Sequence, residues 1–290
     1  MRILVLGANG MLGRDVVAAL AHGHKVLASD LGAGEFPADL TDPASVESAL
    51  SAARPDAVVN CAAYTDVERA ESEPDLAFAI NGDAVGRLAA LCRERDVALC
   101  HVSTDFVFDG TKGEPYDEDD GPNPLNVYGA SKLAGERALR EATTDFWLIR
   151  TQWLFAPHGR NFALTMRRLA REGREVRVVA DQWGVPSYAA DVAAAIRTVI
   201  ERAPFGVYHV NNDGECSWFD FARAVLETGG LDPSVLVPVS TGEYPSAVRR
   251  PQRSTLRRSA LQRLGLDYAR PWREAVEDFS KALQQRDGQG

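Results

Sequence analysis

Tyr128 and Lys132 stand four residues apart, among small residues, in the stretch NVYGASKLAGE, residues 126–136. On a helix that spacing puts both side chains on one face. A phenol with an ordinary pKa of about 10 is a poor base near neutrality. A nearby ammonium, or the positive nicotinamide of an oxidised dinucleotide, would favour the phenolate. Tyr128 could then exchange a proton with a carbonyl oxygen while hydride moves, and Lys132 could also hold the nicotinamide ribose. The other reading is a tyrosine packed beside a snorkelling lysine. The pair alone does not choose between them.

Other residues of the first half point to the same chemistry. Gly7-Ala8-Asn9-Gly10-Met11-Leu12-Gly13 is a GxxGxxG run between an apolar strand pattern and a helical one. Gly7 would permit the tight turn, Gly10 the approach of a pyrophosphate to the backbone, and Gly13 close helix–strand packing. The alternative is a glycine-rich turn without a ligand. Asp30 ends the next strand pattern, where an acid accepts a bond from the ribose 2′-OH and favours NAD over NADP; it could also be a surface turn. Asp39-Leu40-Thr41-Asp42 lies where a backbone or carboxylate group would meet adenine. Ala62 and Ala63 follow the third strand, where small side chains let a dinucleotide lie against the backbone or simply pack closely. Ser103, Thr104 and Asp105 close the fourth strand, where a hydroxyl could bond a substrate carbonyl or Tyr128, or only shape a polar turn. Histidine offers no rival: His101 and His209 sit in strand patterns as core or edge residues, and His158 has no ligand-spaced partner.

The elements that must position these residues alternate. RILVLGA, HKVLASD, DAVVNCAA, ALCHVSTDFVF and FWLIRTQWLF read as strands. Between them, GMLGRDVVAALAHG, DPASVESALSAARP with Asp42 as N-cap, AFAINGDAVGRLAALCRERD and VYGASKLAGERALREA read as helices. That alternation is the signature of an α/β Rossmann-like, doubly wound parallel sheet. Residues 1–155 form the expected dinucleotide-binding domain, its sheet completed by parts of 175–212 such as GVYHVNN. Residues 156–290 form mainly a smaller, interleaved substrate-binding lobe, with helices at NFALTMRRLAREG, YAADVAAAIRTVIERA, SWFDFARAVLETGG and PWREAVEDFSKALQQR.

With 290 residues, 45% hydrophobic and 25% charged, the chain is an ordinary globular one. A net charge of −9 argues against a general nucleic-acid binder. Cys61, Cys92, Cys100 and Cys216 show no CxxC pair or metal-ligand spacing, which fits free thiols in a reducing compartment. The start loosely imitates a secretory signal, but Asn9-Gly10 and Arg14-Asp15 interrupt the apolar run. No segment is apolar enough to span a membrane. The expected location is cytoplasmic, with the acidic run Asp117-Glu118-Asp119-Asp120 a solvated loop.

The stretches LGANGMLG, DLTD, VVNCAAYTDVERAE, INGDAVGRLA, STDFVFDG, PNPLNVYGASKLAGE, RTQWLF and DQWGVPSY cover most of residues 1–190. Together they resemble the extended short-chain dehydrogenase/reductase superfamily and, within it, the dTDP-4-dehydrorhamnose reductases. The resemblance implies NADPH- or NADH-dependent reduction of the C4 ketone of dTDP-4-dehydro-L-rhamnose. It places Gly10, Met11 and Leu12 at the pyrophosphate, Asp39 and Leu40 at the adenine, and Ala62, Ala63, Tyr64 and Thr65 along the cofactor. It implies a catalytic triad of Thr104, Tyr128 and Lys132 with Tyr128 as proton donor, and contacts from Thr104, Asp105, Tyr128 and Trp153 to the sugar. Some members are homodimers, and magnesium is associated with some of those. Gln152 stands where relatives usually have Ser, Ser187 where they have Thr, and Arg257 where Asp is common. These departures fall on the sugar and nucleotide side, which the C-terminal lobe supplies, rather than on hydride transfer. The alternatives are another nucleotide-sugar reductase or epimerase of the superfamily, or a non-catalytic cofactor-binding regulatory subunit. The intact Thr104, Tyr128 and Lys132 set argues against the last.

Overall fold

The structure, a computed structural model, describes residues 1–287. The first half runs β1 (Arg2–Leu6), α1 (Met11–Leu20), β2 (Lys25–Asp30), a two-residue β3 (Ala33–Gly34), α2 (Pro43–Ala53), β4 (Ala57–Asn60), α3 (Val67–Ala70), α4 (Pro74–Phe78), a π-helical turn (Ala79–Asp83), α5 (Ala84–Arg93), β5 (Ala98–Thr104), α6 (Val127–Ala142) and β6 (Phe146–Thr151). The second half continues β7 (Leu154–Phe155), α7 (Phe162–Arg171), β8 (Val176–Val179), β9 (Trp183–Gly184), β10 (Ser187–Tyr188), α8 (Ala189–Arg202), β11 (Gly206–His209), β12 (Cys216–Ser217), α9 (Trp218–Thr228), β13 (Leu236–Val239), α10 (Ser259–Arg263) and α11 (Trp272–Asp287).

The main sheet has the order β11-β6-β5-β4-β1-β2-β3 and is parallel except for β3. Its strands are apolar on both sides because helices cover both faces. On one face Val5, Val59 and Ile149 meet Val16 of α1 and Val192 and Ile196 of α8. On the other, Leu4, Val58 and Leu148 meet Leu50, Leu88 and Leu139 of α2, α5 and α6. The sheet is therefore doubly wound, and chain direction across it reverses between β1 and β4, the switch point at which such sheets bind ligands. The strand expected at GVYHVNN completes the sheet as β11 beside β6. By contrast β8 pairs with β13 outside it. Phe155, Phe221, Trp272 and Phe279 build a separate core under the second half.

Three elements differ from their sequence patterns. The helix read over AFAINGDAVGRLAALCRERD starts earlier, at Pro74, and contains the π-helical turn. The strand read over FWLIRTQWLF breaks after Thr151, because Trp153 takes a left-handed backbone (φ 45°) that an extended strand does not admit. The acidic run is not solvated as a whole. Glu118 is buried, Asp117 bonds Arg257 at 3.0 Å, and Asp120 bonds Lys112 at 2.6 Å. No helix among the described residues is long and apolar enough to cross a membrane.

Candidate active site

The dinucleotide side forms where β1 and β4 end. Gly7 has φ 73°, and a Cβ there would lie 2.7 Å from the Ala62 nitrogen, so the two strand ends abut backbone to backbone. A Cβ on Gly13 would sit 2.0 Å from the Gly7 carbonyl oxygen, which fixes α1 tightly against the turn. Gly10 begins α1 with no side chain capping the first turn. The N–H groups of Met11, Leu12 and Gly13 are thus the uncapped, positive end of a ten-residue helix, which suits a pyrophosphate. The Leu12 side chain is core; its backbone is what faces the turn. Asp30 accepts from the Asn9 nitrogen at 2.7 Å and the Leu31 nitrogen at 2.8 Å, which holds its carboxylate at the end of β2. The Asp39 carboxylate is engaged by Thr41 at 2.8 and 2.6 Å. Leu40 is buried. Among Ala62, Ala63, Tyr64 and Thr65, the Tyr64 hydroxyl turns away to Glu73 at 2.7 Å. These features fit a dinucleotide.

The loop at Tyr64 is clamped by a residue whose role the sequence did not disclose. Asn81, in the π-helical turn, accepts from the Tyr64 nitrogen at 2.9 Å, donates to the Tyr64 carbonyl at 2.9 Å and donates to Ser131 Oγ at 3.0 Å. One buried amide therefore ties the cofactor loop to α6. A sequence signal exists only in INGDAVGRLA as a family stretch, since a π-turn has no periodicity of its own.

The reacting side lies at the end of β5 and the start of α6. Asn126 caps α6, accepting from the Gly129 nitrogen at 2.8 Å, and donates through its amide to the Arg249 carbonyl at 2.9 Å. A Cβ on Gly129 would lie 2.2 Å from the Phe106 carbonyl oxygen, so the small residue after Tyr128 is required by the protein's own backbone. Thr104 donates to Asp105 Oδ1 at 3.0 Å, and Ser254 donates to Asp105 Oδ2 at 2.5 Å. Burial raises the Asp105 carboxyl to about 6, against the bonds from Ser254 and Thr104. Burial pushes the Tyr128 phenol up to about 12, and Asp105 pushes it the same way, against the effect of the neighbouring Thr104 hydroxyl.

Lys132 is buried on the same face of α6. Its Nζ donates to the Val102 carbonyl at 2.7 Å and faces His101 Nε2 at 3.4 Å, rather than bonding the phenol. Burial lowers its ammonium to about 8, against Glu136 and Cys61. Burial, then the charge of Lys132, holds the His101 imidazole well below its usual range. His101 was expected as a plain core or edge residue. It is core, yet it stands beside the proposed catalytic lysine.

The residues expected at the sugar lie among elements of the second half. Trp153 stacks on Trp218, centroids 3.6 Å apart and planes at 12°, and its ring fills the space beside Gly184. Gln152 accepts from the Val185 nitrogen at 3.1 Å, and Ser187 donates to the Val185 carbonyl at 3.1 Å. Both departures thus secure the loop that carries Gly184 against Trp153. Trp218 also lines a cavity of about 450 Å³ with Phe162, Met166, Val178, Tyr244 and Arg250. Arg250 pairs with Glu68 at 2.7 Å, Arg253 with Glu215 at 2.9 Å and Arg257 with Asp117 at 3.0 Å. Among the described residues, no group of three or more His, Cys, Asp and Glu side chains is placed to hold a metal ion.

Thr104, Asp105, Tyr128 and Lys132 gather at the end of β5 and the start of α6, at the same end of the sheet as the glycine turn, while Trp153 follows β6 and stacks on Trp218. A family model described as the RmlD substrate binding domain matches residues 1–285. The chain is 43% identical to a dTDP-4-dehydrorhamnose reductase of Burkholderia thailandensis, over 95% of its own length and 97% of that protein's. It is 38% identical to a dTDP-4-keto-6-deoxy-D-glucose reductase of Streptomyces niveus, over 95% of each. The solved dTDP-4-dehydrorhamnose reductase of Bacillus anthracis, in complex with NADP, matches it with a TM-score of 0.92 at 36% identity, over 97% of this chain and 99% of that one. With its doubly wound sheet and glycine turn, the chain belongs to the dTDP-4-dehydrorhamnose reductase family of the extended short-chain dehydrogenases/reductases.

Proposed function

We propose that this protein reduces the C4 ketone of dTDP-4-dehydro-L-rhamnose to the alcohol of dTDP-L-rhamnose, using NADPH or NADH. The observation that carries the reading is the hydrogen-bonded pair Thr104–Asp105 beside the Tyr128 phenol, at the end of β5, on the same end of the sheet as an uncapped α1. The dinucleotide supplies a hydride to C4 when bound. Tyr128 gives its proton to the ketone oxygen, so one hydride and one proton make the alcohol. Its high pKa suits an acid that must keep the proton until the oxygen gains charge. Thr104 orients the phenol and, with Asp105 and Trp153, holds the sugar. Lys132 adjusts the phenol and holds the nicotinamide ribose. The cavity beside Trp218 and Arg250 takes the nucleotide part of the substrate: aromatic and apolar walls for a base, a guanidinium for phosphate.

The direct test is oxidation of NADPH or NADH by the purified protein with dTDP-4-dehydro-L-rhamnose, and folded protein without turnover would refute the reading. A second reading, reduction of another dTDP-4-keto-6-deoxy sugar, is favoured by the Streptomyces niveus relative. NMR of the product with both ketones distinguishes the two by the configuration of the sugar. A redox-neutral epimerase would regenerate its cofactor and show no net oxidation.

A further inference from the structure

One wall of the cavity beside Trp218 is a strap, residues 241–250, that crosses from the second half to the first. Thr241, Tyr244, Ser246, Val248 and Arg250 of this strap line the cavity. Residues 241–247 are all exposed, so packing of their own side chains does not hold them down. Hydrogen bonds to both halves hold them instead. Toward the second half, the Thr241 N–H and hydroxyl donate to Asp181 at 2.8 and 2.7 Å. Toward the first half, the Asn126 amide donates to the Arg249 carbonyl at 2.9 Å. Between these anchors, Glu68 Oε1 accepts from Arg250 Nη2 at 2.7 Å and from Ser246 Oγ at 3.1 Å, while Arg250 Nη1 donates to Ser246 Oγ at 2.8 Å. Glu68 belongs to α3, which follows the cofactor loop 62–65. Glu71, at the end of α3, accepts from the Val127 N–H at 2.9 Å, one residue before Tyr128.

The charge about this cavity is one-sided. Its charged lining residues are Arg177 and Arg250, and no carboxylate lines it among the described residues. Glu68 reaches Arg250 from outside the lining. The diphosphate of a sugar nucleotide must lie between the base and the reacting sugar. Arg250 stands in that interval, on the cavity wall at one side and paired with α3 at the other. Its pair with Glu68 is partly exposed, the Arg250 side chain by 25% and the Glu68 side chain by 51%, and an ion pair in that setting contributes little. A diphosphate offers more, because its oxygens match the planar fork of a guanidinium in two parallel bonds. We propose that Glu68 is a stand-in for the substrate's diphosphate: it holds Arg250, and the strap with it, in the ligand-free protein, and gives Arg250 up when a nucleoside diphosphate enters the cavity. This rests on the nucleotide seat given above and adds to it a carboxylate that competes for the guanidinium. Glu68 is a positioning residue that acts through Arg250. When the nucleotide leaves, Glu68 takes Arg250 back, so the guanidinium and the strap keep one position in the empty protein.

The test is isothermal titration calorimetry of the full-length protein with dTDP and with thymidine, which carries the base without the diphosphate. Arg250→Gln should weaken dTDP binding and leave thymidine binding unchanged, which examines the seat itself. Glu68→Gln should tighten dTDP binding roughly two- to fivefold, the worth of a partly exposed ion pair that no longer competes, with thymidine unchanged. In the Arg250→Gln background the same Glu68→Gln change should give no gain. A merely structural Glu68 predicts the opposite sign, since a loosened strap binds nucleotide more weakly. Unchanged or weaker dTDP binding in Glu68→Gln, an equal gain for thymidine, or an equal gain in the Arg250→Gln background overturns the proposal. If Arg250→Gln leaves dTDP binding unchanged, the seat falls and the exchange falls with it. If Arg250→Gln weakens dTDP binding and Glu68→Gln does not tighten it, the seat stands and the exchange alone fails. Binding is read without turnover, so reduction of the sugar ketone stands or falls separately.

Discussion

At the scale of single residues, Tyr128 and Asp105 carry opposite duties on either side of Thr104. Tyr128→Phe removes the proton donor but little volume. We expect kcat to fall roughly 10²–10⁴-fold with the dissociation constant of the cofactor unchanged, as read by steady-state kinetics and by titration of the dinucleotide. Asp105 has its pKa raised by burial from the ordinary 3.8 to about 6. Its contribution to stability is therefore full below the ordinary value and is lost as pH rises through about 6, where the buried carboxylate must ionise. Asp105→Asn has no such loss. Thermal melts should show the variant gaining on the wild type between pH 4 and pH 7, by on the order of 2–3 kcal/mol at most. Its kcat/KM should fall, because the sugar contact changes. Asp30 closes β2, the expected place for a contact to the ribose 2′ position, where a carboxylate would repel a 2′-phosphate and favour NADH. Asp30→Asn keeps the shape without the charge and should improve kcat/KM for NADPH relative to NADH by about tenfold, the equivalent of ~1.4 kcal/mol.

At the scale of elements, the π-helical turn and the glycines of α6 belong together. A Cβ on Gly135 would lie 2.0 Å from the Asn81 carbonyl oxygen, so α6 rides directly on the backbone of the π-turn. That contact lets the Asn81 side chain reach both Tyr64 and Ser131. A π-turn widens a helix by one residue and costs hydrogen bonding, and it persists where a side chain must be re-aimed. Asn81→Ala leaves the partly buried Tyr64 backbone groups without these partners. A loss of about 1–3 kcal/mol in denaturant unfolding is expected, together with weaker dinucleotide binding and a smaller effect on kcat than Tyr128→Phe. Equal losses in kcat and in affinity would assign Asn81 a different part.

At the scale of the whole molecule, the two halves complete one another. Helix α8, from the second half, covers the sheet face that α1 covers beside it, and β11 shields the edge of β6. The segment 249–257 returns to the first half, where the Arg249 carbonyl meets Asn126, Ser254 meets Asp105, and Tyr116 exchanges backbone bonds with Thr255 and Arg257. A fragment of residues 1–155 would expose Val5, Val59 and Ile149 to water. It should aggregate or give only a loosely packed state, with lost near-UV circular dichroism, and the full chain should unfold in a single transition seen alike by tryptophan fluorescence and circular dichroism. An independently folded fragment that binds dinucleotide would show that the lobe is an addition to a finished domain.

The sequence by itself determined the doubly wound sheet, because apolar runs of strand length alternating with amphipathic helices admit few other packings. It also determined the glycine turn, the Asp42 cap, whose carboxylate accepts from the Ala44 nitrogen at 3.0 Å, and the Tyr128–Lys132 spacing. All of these are local, written in residue type and period. Tertiary structure alone decided the contacts between distant segments: Ser254 on Asp105, Trp218 on Trp153, Asn81 on Tyr64, and the Asn60–His101 line behind Lys132. The left-handed Trp153 and the burial of Glu118 belong there too, since each depends on what packs against it. A histidine in a strand pattern looks the same whether it fills space or faces a lysine. Only the fold, by bringing β4, β5 and α6 side by side, gives its two ring nitrogens different partners.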